Sequence, residues 1–248
     1  MSIVDLHGKT ALVTGGARRL GAATSLALAE AGAHIVLHYG ASGREAAQIA
    51  AQVSGHGVRC ALVQADLAQP DNVAGLFQRA VDAAGPVDFL INSAAIFPEA
   101  ALEACTTGKL AENIQINAVA PLRLSLDFAA QGREGCIVNF LDTMVADYDR
   151  KHVPYHLSKR MLYTLTRILA LECAPKVRVN AVAPGLILPP EGKDEHYLAA
   201  LAHSNPLQRY GNPRAVTEAV LFLLRSAFVT GQVIFLDGGR HLRGRVYD

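Results

Sequence analysis

The chain has 248 residues, of which 51% are hydrophobic and 18% charged, and its formal net charge is +1. The apolar fraction is enough for a sizeable core, and the near-zero charge argues against a basic field for nucleic acid or an anionic membrane. Trp is absent and aromatics are few, which disfavours a base-stacking platform; Cys60, Cys105, Cys136 and Cys173 form no C-x-x-C pair, so neither a metal site nor a disulfide framework is expected.

The first residues, MSIVDLHGKT, lack the basic flank and long apolar stretch of a secretory leader. The apolar runs, such as Ala219 to Leu224, fall far below the roughly 18 residues a membrane span needs. The expectation is a soluble, cytoplasmic protein with reduced cysteines.

In chain order, strands are predicted over 9–14, 33–39, 58–65, 87–92, 136–141, 177–183 and 232–236. They read as mostly continuous apolar runs rather than alternating ones, as parallel strands covered on both faces do. Helices are predicted between them over 21–31, 44–53, 71–84, 108–131, 155–173 and 213–226. Gly32 is a stop signal for the first, Asp71 after Pro70 an acidic start for the third, and Pro121 predicts a kink in the fourth. Strands alternating with helices make an α/β, Rossmann-like, doubly wound parallel sheet of about seven strands with helices on both faces. With no repeat or linker, residues 1–248 form one domain. The stretch 185–206 lacks a clear pattern and is too long for a plain connection, so it is expected to be a mobile substrate lid.

Between the first strand and first helix runs TGGARRLG, residues 14–21. Gly15, Gly16 and Gly21 allow a tight turn and let a pyrophosphate approach helix N-terminal amides. The spacing is not G-x-G-x-x-G, and a large cation, Arg19, stands inside it. The second strand ends His38-Tyr39-Gly40-Ala41-Ser42, without the acid that holds ribose hydroxyls in an NAD site. That absence, with Arg18, Arg19, Ser42 and Arg44 nearby, suits the 2′-phosphate of NADPH. His38 reads equally well as a cofactor contact or as a solvated strand-end residue.

Tyr155 and Lys159 stand four apart at the start of a helix and so emerge on one face. A nearby ammonium favours a phenolate, so the tyrosine pKa is expected to fall from its reference of about 10 toward neutrality. Asp142 ends the fifth strand and Asn92 the fourth, both at the carboxyl edge where open α/β sheets bind ligands. Asn117 lies in the long helix between them.

TGGARRLG, the Tyr155–Lys159 pair, Asn117, VNAVAPG at 179–185 and LDGG at 236–239 together resemble the short-chain dehydrogenase/reductase family over about the whole chain. The resemblance implies that Tyr155 is the proton donor, that Lys159 holds the nicotinamide ribose and lowers the tyrosine pKa, and that Asn117 supports a proton-relay water. It places the cofactor on Gly15, Arg18, Arg19, Leu20, Gly21, His38, Tyr39, Ser42, Asn92, Ser93, Ala94, Tyr155 and Lys159. Asp66 and Leu67 would meet the adenine, and Pro184, Gly185 and Leu186 would flank the nicotinamide. Members of the family commonly form tetramers through their long helices, so a homotetramer is expected.

Three departures from the family pattern point one way. Arg19 stands in the phosphate turn, Asp142 replaces the catalytic serine, and the usual N-N-A-G reads Asn92-Ser93-Ala94-Ala95, followed by Ile96-Phe97. A serine hydroxyl donates to a ketone oxygen; an ionised carboxylate repels developing oxyanion charge and suits the N–H donors of a pterin. Phe97 offers a flat face to a bicyclic ring, and Arg19 is placed to bridge cofactor phosphate and substrate. The combination resembles the pteridine reductase branch, with its bacterial dihydromonapterin and dihydrofolate reductases. The expected activity is NADPH-dependent reduction of a pterin C=N bond, with Arg19, Phe97, Asp142 and Tyr155 on the substrate. Reduction of a ketone by the same fold is the alternative. A non-catalytic cofactor sensor is disfavoured because Tyr155 and Lys159 are both present.

Overall fold

A computed structural model describes residues 3–243. Among these residues lie seven strands and nine α-helices. The strands are β1 Thr10–Thr14, β2 His34–Tyr39, β3 Cys60–Gln64, β4 Phe89–Asn92, β5 Gly135–Phe140, β6 Val177–Pro184 and β7 Val233–Leu236. They form one parallel sheet in the order β3-β2-β1-β4-β5-β6-β7. The chain starts at the centre, winds out through β2 and β3, and returns across β1 to β4. That reversal opens a crevice at the carboxyl ends of β1 and β4. Register there is set by Leu12 opposite both Val36 and Leu90, and by Thr14 opposite Asn92.

Successive strand residues face opposite sides, so the continuous apolar runs supply two cores. Val13, Leu37 and Ile91 pack on one face against Leu28 of α1 (Arg19–Glu30) and Val220 and Leu224 of α9 (Pro213–Arg225). Leu12, Val36, Leu90 and Ile137 pack on the other against Phe77, Leu124, Phe128 and Leu169. Those four come from α4 (Leu76–Ala84), α6 (Ala120–Ala130) and α7 (Val153–Glu172). Arg178 on β6 donates to the carbonyls of Leu223 and Leu224 at 2.8 Å each, placing a cation where the last turn of α9 leaves acceptors open.

Three predicted elements come out differently. The helix predicted over 71–84 divides at Gly75 into α3 (Pro70–Ala74) and α4. That predicted over 108–131 becomes α5 (Thr107–Ile114), a π-helical turn at Gln115–Val119, and α6. Pro121 sits in the first turn of α6, where its missing N–H is harmless, so the irregularity belongs to the π turn. The predicted lid contains α8 (Glu195–Leu201), whose cap Asp194 accepts from the N–H of His196. The remaining helix, α2, spans Gly43–Gly55. No described helix is long and apolar enough to cross a membrane.

Candidate active site

The glycine turn leaves β1 with almost no room for side chains. A Cβ on Gly21 would lie 2.1 Å from the Gly15 carbonyl oxygen, and one on Gly15 would lie 2.9 Å from Ala94 Cα. Gly15 also holds φ +63°, a conformation glycine adopts freely. Thr14 locks this corner, its Oγ1 accepting from the N–H groups of Ser93 (3.0 Å) and Ala94 (3.1 Å). Gly21→Ala is expected to lose about 1–3 kcal/mol of stability through overpacking, and dinucleotide affinity with it. Urea unfolding and NADP⁺ titration of that variant check both.

His38 answers the question its sequence left open. It is buried rather than solvated, and it points under the turn rather than out toward a ligand. Its Nδ1 accepts from the Gly15 N–H at 3.2 Å, and its Nε2 lies 3.1 Å from the Ala65 carbonyl. Both contacts are met by the neutral Nε2–H tautomer. The expected direct cofactor contact is therefore replaced by support of the turn from beneath. Burial lowers the His38 pKa from 6.5 to about 4, outweighing the Ala65 hydrogen bond that would raise it. A base depressed in the folded state gives stability that is complete above pH 6.5 and is lost as pH falls through 6.5 toward 4. The loss amounts to about 3 kcal/mol. Urea unfolding of wild type and His38→Gln between pH 7 and 4.5 checks this: the variant should show the shallower decline.

Arg18 and Arg19 are exposed at the start of α1 and reach across the crevice. Arg19 Nη2 donates to the Pro189 carbonyl at 2.8 Å, and Arg18 forms an ion pair with Glu191. Arg19 holds φ +52°, so the turn keeps a glycine-like backbone beneath a cationic side chain. The two arginines thus tie the phosphate turn to the segment after β6. On that side, Gly185 lets the chain press against Asp237, where a Cβ would lie 2.6 Å from the Asp237 Cβ. Asp237 accepts from Thr143 and, at 2.8 Å, from the N–H of His241.

Tyr39 and Ser42 lie at the carboxyl end of β2, Asp66 just beyond β3 and Asn92 at the end of β4, all on the same edge of the parallel sheet. Ser42 is the cap residue of α2, but its hydroxyl does not cap the helix. Asp66 Oδ1 accepts from the N–H of Ala68 at 2.9 Å, folding the exit from β3 into a turn beside Leu67. Asn92 donates to Asn139 Oδ1 at 2.8 Å, and Asn139 donates to Thr166 on α7 at 2.9 Å. That chain leaves the buried Asn92 Oδ1 with no protein partner. A close backbone cradle, a helix start with no acid in its first turn and an unsatisfied buried carbonyl oxygen fit a bound dinucleotide.

The second cluster lies at the carboxyl end of β5. Tyr155 OH donates to Asp142 Oδ2 at 3.1 Å, and Asp142 Oδ1 accepts from the N–H of Met144 at 2.8 Å. Lys159 Nζ donates to the Phe140 carbonyl at 2.7 Å, with Nζ 5.7 Å from the Tyr155 ring centre. The expected fall in the tyrosine pKa is reversed. Burial, then the adjacent Asp142 charge and its hydrogen bond, raise Tyr155 well above 10. Burial also lowers Lys159 from 10.5 to about 8, against the pull of Asp142, and raises the Asp142 carboxyl. The phenol is therefore kept protonated, with a carboxylate rather than an ammonium as its immediate neighbour.

Asn117 sits within the π turn and spends its side chain on structure. Its Oδ1 accepts from the Ile96 N–H (3.0 Å), and its Nδ2 donates to the Ile96 carbonyl (3.1 Å) and Ser158 Oγ (3.0 Å). That clamp fixes the segment carrying Phe97. Phe97 is 49% exposed, stacked on His152 and edge-on to Tyr155. His152 was not evident as a site residue in the sequence, because its proximity arises only where the segments after β4 and before α7 meet.

A glycine cradle and a buried acid–phenol–amine cluster on one carboxyl edge are the layout of a dinucleotide-fold oxidoreductase. A family model described as enoyl-(acyl carrier protein) reductase matches residues 15–241, and the chain belongs to the short-chain dehydrogenase/reductase family. An uncharacterized oxidoreductase of Mycobacterium tuberculosis is 34% identical over 96% of this chain and 94% of its own. Versicolorin reductase of Emericella nidulans is 31% identical over 94% of this chain and 96% of its own. The alternative dihydrofolate reductase 1 (FolM) of Brucella canis, solved with NADP, superposes with TM-score 0.90 at 33% identity, covering 98% of each chain.

Proposed function

We propose that this protein is an NADPH-dependent reductase of a pterin C=N bond, converting a dihydropterin or dihydrofolate-type substrate to its tetrahydro form. The observation that carries the reading is the Asp142 carboxyl hydrogen-bonded to the Tyr155 hydroxyl, where the family places a serine. A carboxylate accepts from the amino and ring N–H groups of a pterin, which a ketone does not offer. The likeness to the FolM structure supports the same substrate class.

Gly15, Arg18, Arg19, Leu20 and Gly21 would hold the pyrophosphate, Tyr39 and Ser42 the 2′-phosphate, and Asp66 and Leu67 the adenine. Asn92, Ser93, Ala94, Pro184, Gly185 and Leu186 would enclose the nicotinamide, with Lys159 on its ribose. When bound, NADPH supplies the hydride. The strand end Tyr39-Gly40-Ala41-Ser42 lacks the acid that would repel a 2′-phosphate, which favours NADPH over NADH. His38 supports the turn rather than joining this set.

Tyr155, held protonated, is the acid that delivers a proton to the substrate nitrogen. Donation would leave a phenolate against the Asp142 carboxylate, an unfavourable pair of like charges that ends when a proton from solvent restores the phenol. Lys159 places its positive charge beside this exchange, and Asn117 holds the substrate wall through Ile96. Phe97 presents an aromatic face to the ring, and Arg19 spans cofactor and lid.

The assay is NADPH and NADH oxidation with dihydrobiopterin, dihydromonapterin, dihydrofolate and simple ketones. Pterin-dependent consumption that prefers NADPH is expected; consumption with ketones alone would overturn the reading. Ketone reduction is the second reading, supported by a structural likeness, at TM-score 0.89 and 30% identity, to the reductase LugOII, which catalyses keto-reduction in lugdunomycin biosynthesis. The exposed side chains Leu126 on α6 and Leu157, Met161 and Ile168 on α7 supply an apolar surface for self-association. A tetramer is the proposed assembly, and a monomer in sedimentation equilibrium would overturn it.

A further inference from the structure

We propose that His152 is a specificity-determining positioning residue: with Asp149 it fixes the Phe97 ring as a rigid wall of the substrate cleft. The wall selects planar heteroaromatic substrates over non-planar ones. This rests on the pterin reading of the same site.

A phenylalanine that is 49% exposed has few contacts to hold its ring in one orientation. Phe97 acquires two. The His152 imidazole lies parallel to it at a centroid distance of 4.0 Å and 19° between planes, and Tyr155 meets it at 4.6 Å and 81°. Stacked and edge-on pairs at these separations are the favoured aromatic geometries. Half of the residue still faces solvent, leaving aromatic surface for a ligand beside the catalytic hydroxyl.

His152 is itself immobilised. Its Nδ1 lies 2.8 Å from Asp149 Oδ2, and because a carboxylate only accepts, Nδ1 carries the proton. Its backbone N–H donates to Asp149 Oδ1 at 3.1 Å, and Lys151 N–H to the same oxygen at 2.8 Å. A parallel bridge joins Ala100 to His152, with Ala100 N–H donating to Lys151 carbonyl (2.8 Å) and Val153 N–H to Ala100 carbonyl (2.9 Å). The segment bearing Phe97 and the segment entering α7 are therefore fastened at their backbones and at their rings. His152 is also the residue that precedes α7, three positions before Tyr155. One side chain thus holds the wall in register with the proton donor.

A wall fixed before binding spares the substrate the work of ordering it, so its loss appears as weaker binding rather than slower chemistry. The test compares wild type, His152→Ala, His152→Phe and Asp149→Asn in steady-state kinetics with dihydrobiopterin, alongside NADP⁺ titration. His152→Ala should raise KM about tenfold, the size of a lost stacking contact, with kcat and NADP⁺ affinity held. His152→Phe, which restores a ring without the carboxylate contact, should recover most of that loss, and Asp149→Asn should fall between. If wild type reduces dihydrobiopterin but His152→Ala keeps its KM, the positioning role is overturned and the pterin reading stands. The role is also overturned if His152→Phe is as impaired as His152→Ala, since the hydrogen bond to Asp149 alone would then matter. If wild type reduces only ketones, the pterin reading fails, and the planar selectivity with it.

Discussion

Tyr155→Phe is expected to lower turnover by about 10³-fold with a far smaller effect on NADP⁺ affinity, because the transferable proton is lost while the ring and the rest of the cofactor cradle remain. The ring remains, with its edge-on contact to Phe97 at 4.6 Å, so the cleft keeps its shape. The hydroxyl lost is the one 3.1 Å from Asp142 Oδ2. The phenol is held well above its usual pKa by burial and by the Asp142 charge, so at neutral pH it is present as the acid that a reduction needs. Stopped-flow kinetics and cofactor titration separate the two quantities. A variant that retained wild-type turnover would move the proton source elsewhere; one that lost cofactor binding to the same degree would make the hydroxyl structural.

Asp142→Ser carries the second large effect, and it separates substrates. Serine restores a hydroxyl that can donate to a carbonyl oxygen, but it removes the carboxyl beside Tyr155 and the charge available to substrate N–H groups. Hydrogen bonds to charged groups are worth about 1.5–3 kcal/mol, so pterin turnover should fall on the order of 10²-fold. Cofactor affinity should hold, because Asp142 is tied to Met144 and Tyr155 rather than to the glycine turn. Ketone reduction should rise relative to pterin reduction. Equal losses in pterin turnover and cofactor affinity would remove Asp142 from its proposed role.

Much of the fold was readable because a parallel sheet covered on both faces demands largely apolar strands, and 9–14, 87–92 and 136–141 carry the apolar cores Ala11-Leu12-Val13, Phe89-Leu90-Ile91 and Cys136-Ile137-Val138. The π turn at Gln115–Val119 left no such mark, since its residues pattern as ordinary helix and Pro121 drew attention to the wrong turn. The helix α8 was hidden in a stretch whose only start signal was Asp194. Residue types at the site were legible; their directions were not. His38 turned inward because the Gly15 N–H and the Ala65 carbonyl both needed partners beneath the turn. The tyrosine pKa moved upward because the phenol is buried and because Asp142 takes its hydroxyl while Lys159 turns to the Phe140 carbonyl, none of which an i,i+4 spacing reveals. Likewise, Phe97 and His152 are 55 positions apart and meet only through a bridge between two loops.

Arg19 at φ +52° has a consequence for how this chain can be altered. An L-residue in the left-handed region loses about 1–2 kcal/mol that glycine would keep, part of which glycine forfeits through its greater freedom when unfolded. Arg19→Gly is therefore expected to be slightly more resistant to urea than wild type, yet to lose the reach to Pro189. Directed evolution for thermal tolerance alone would drift toward glycine at this position and erase the side chain that joins the two banks of the crevice.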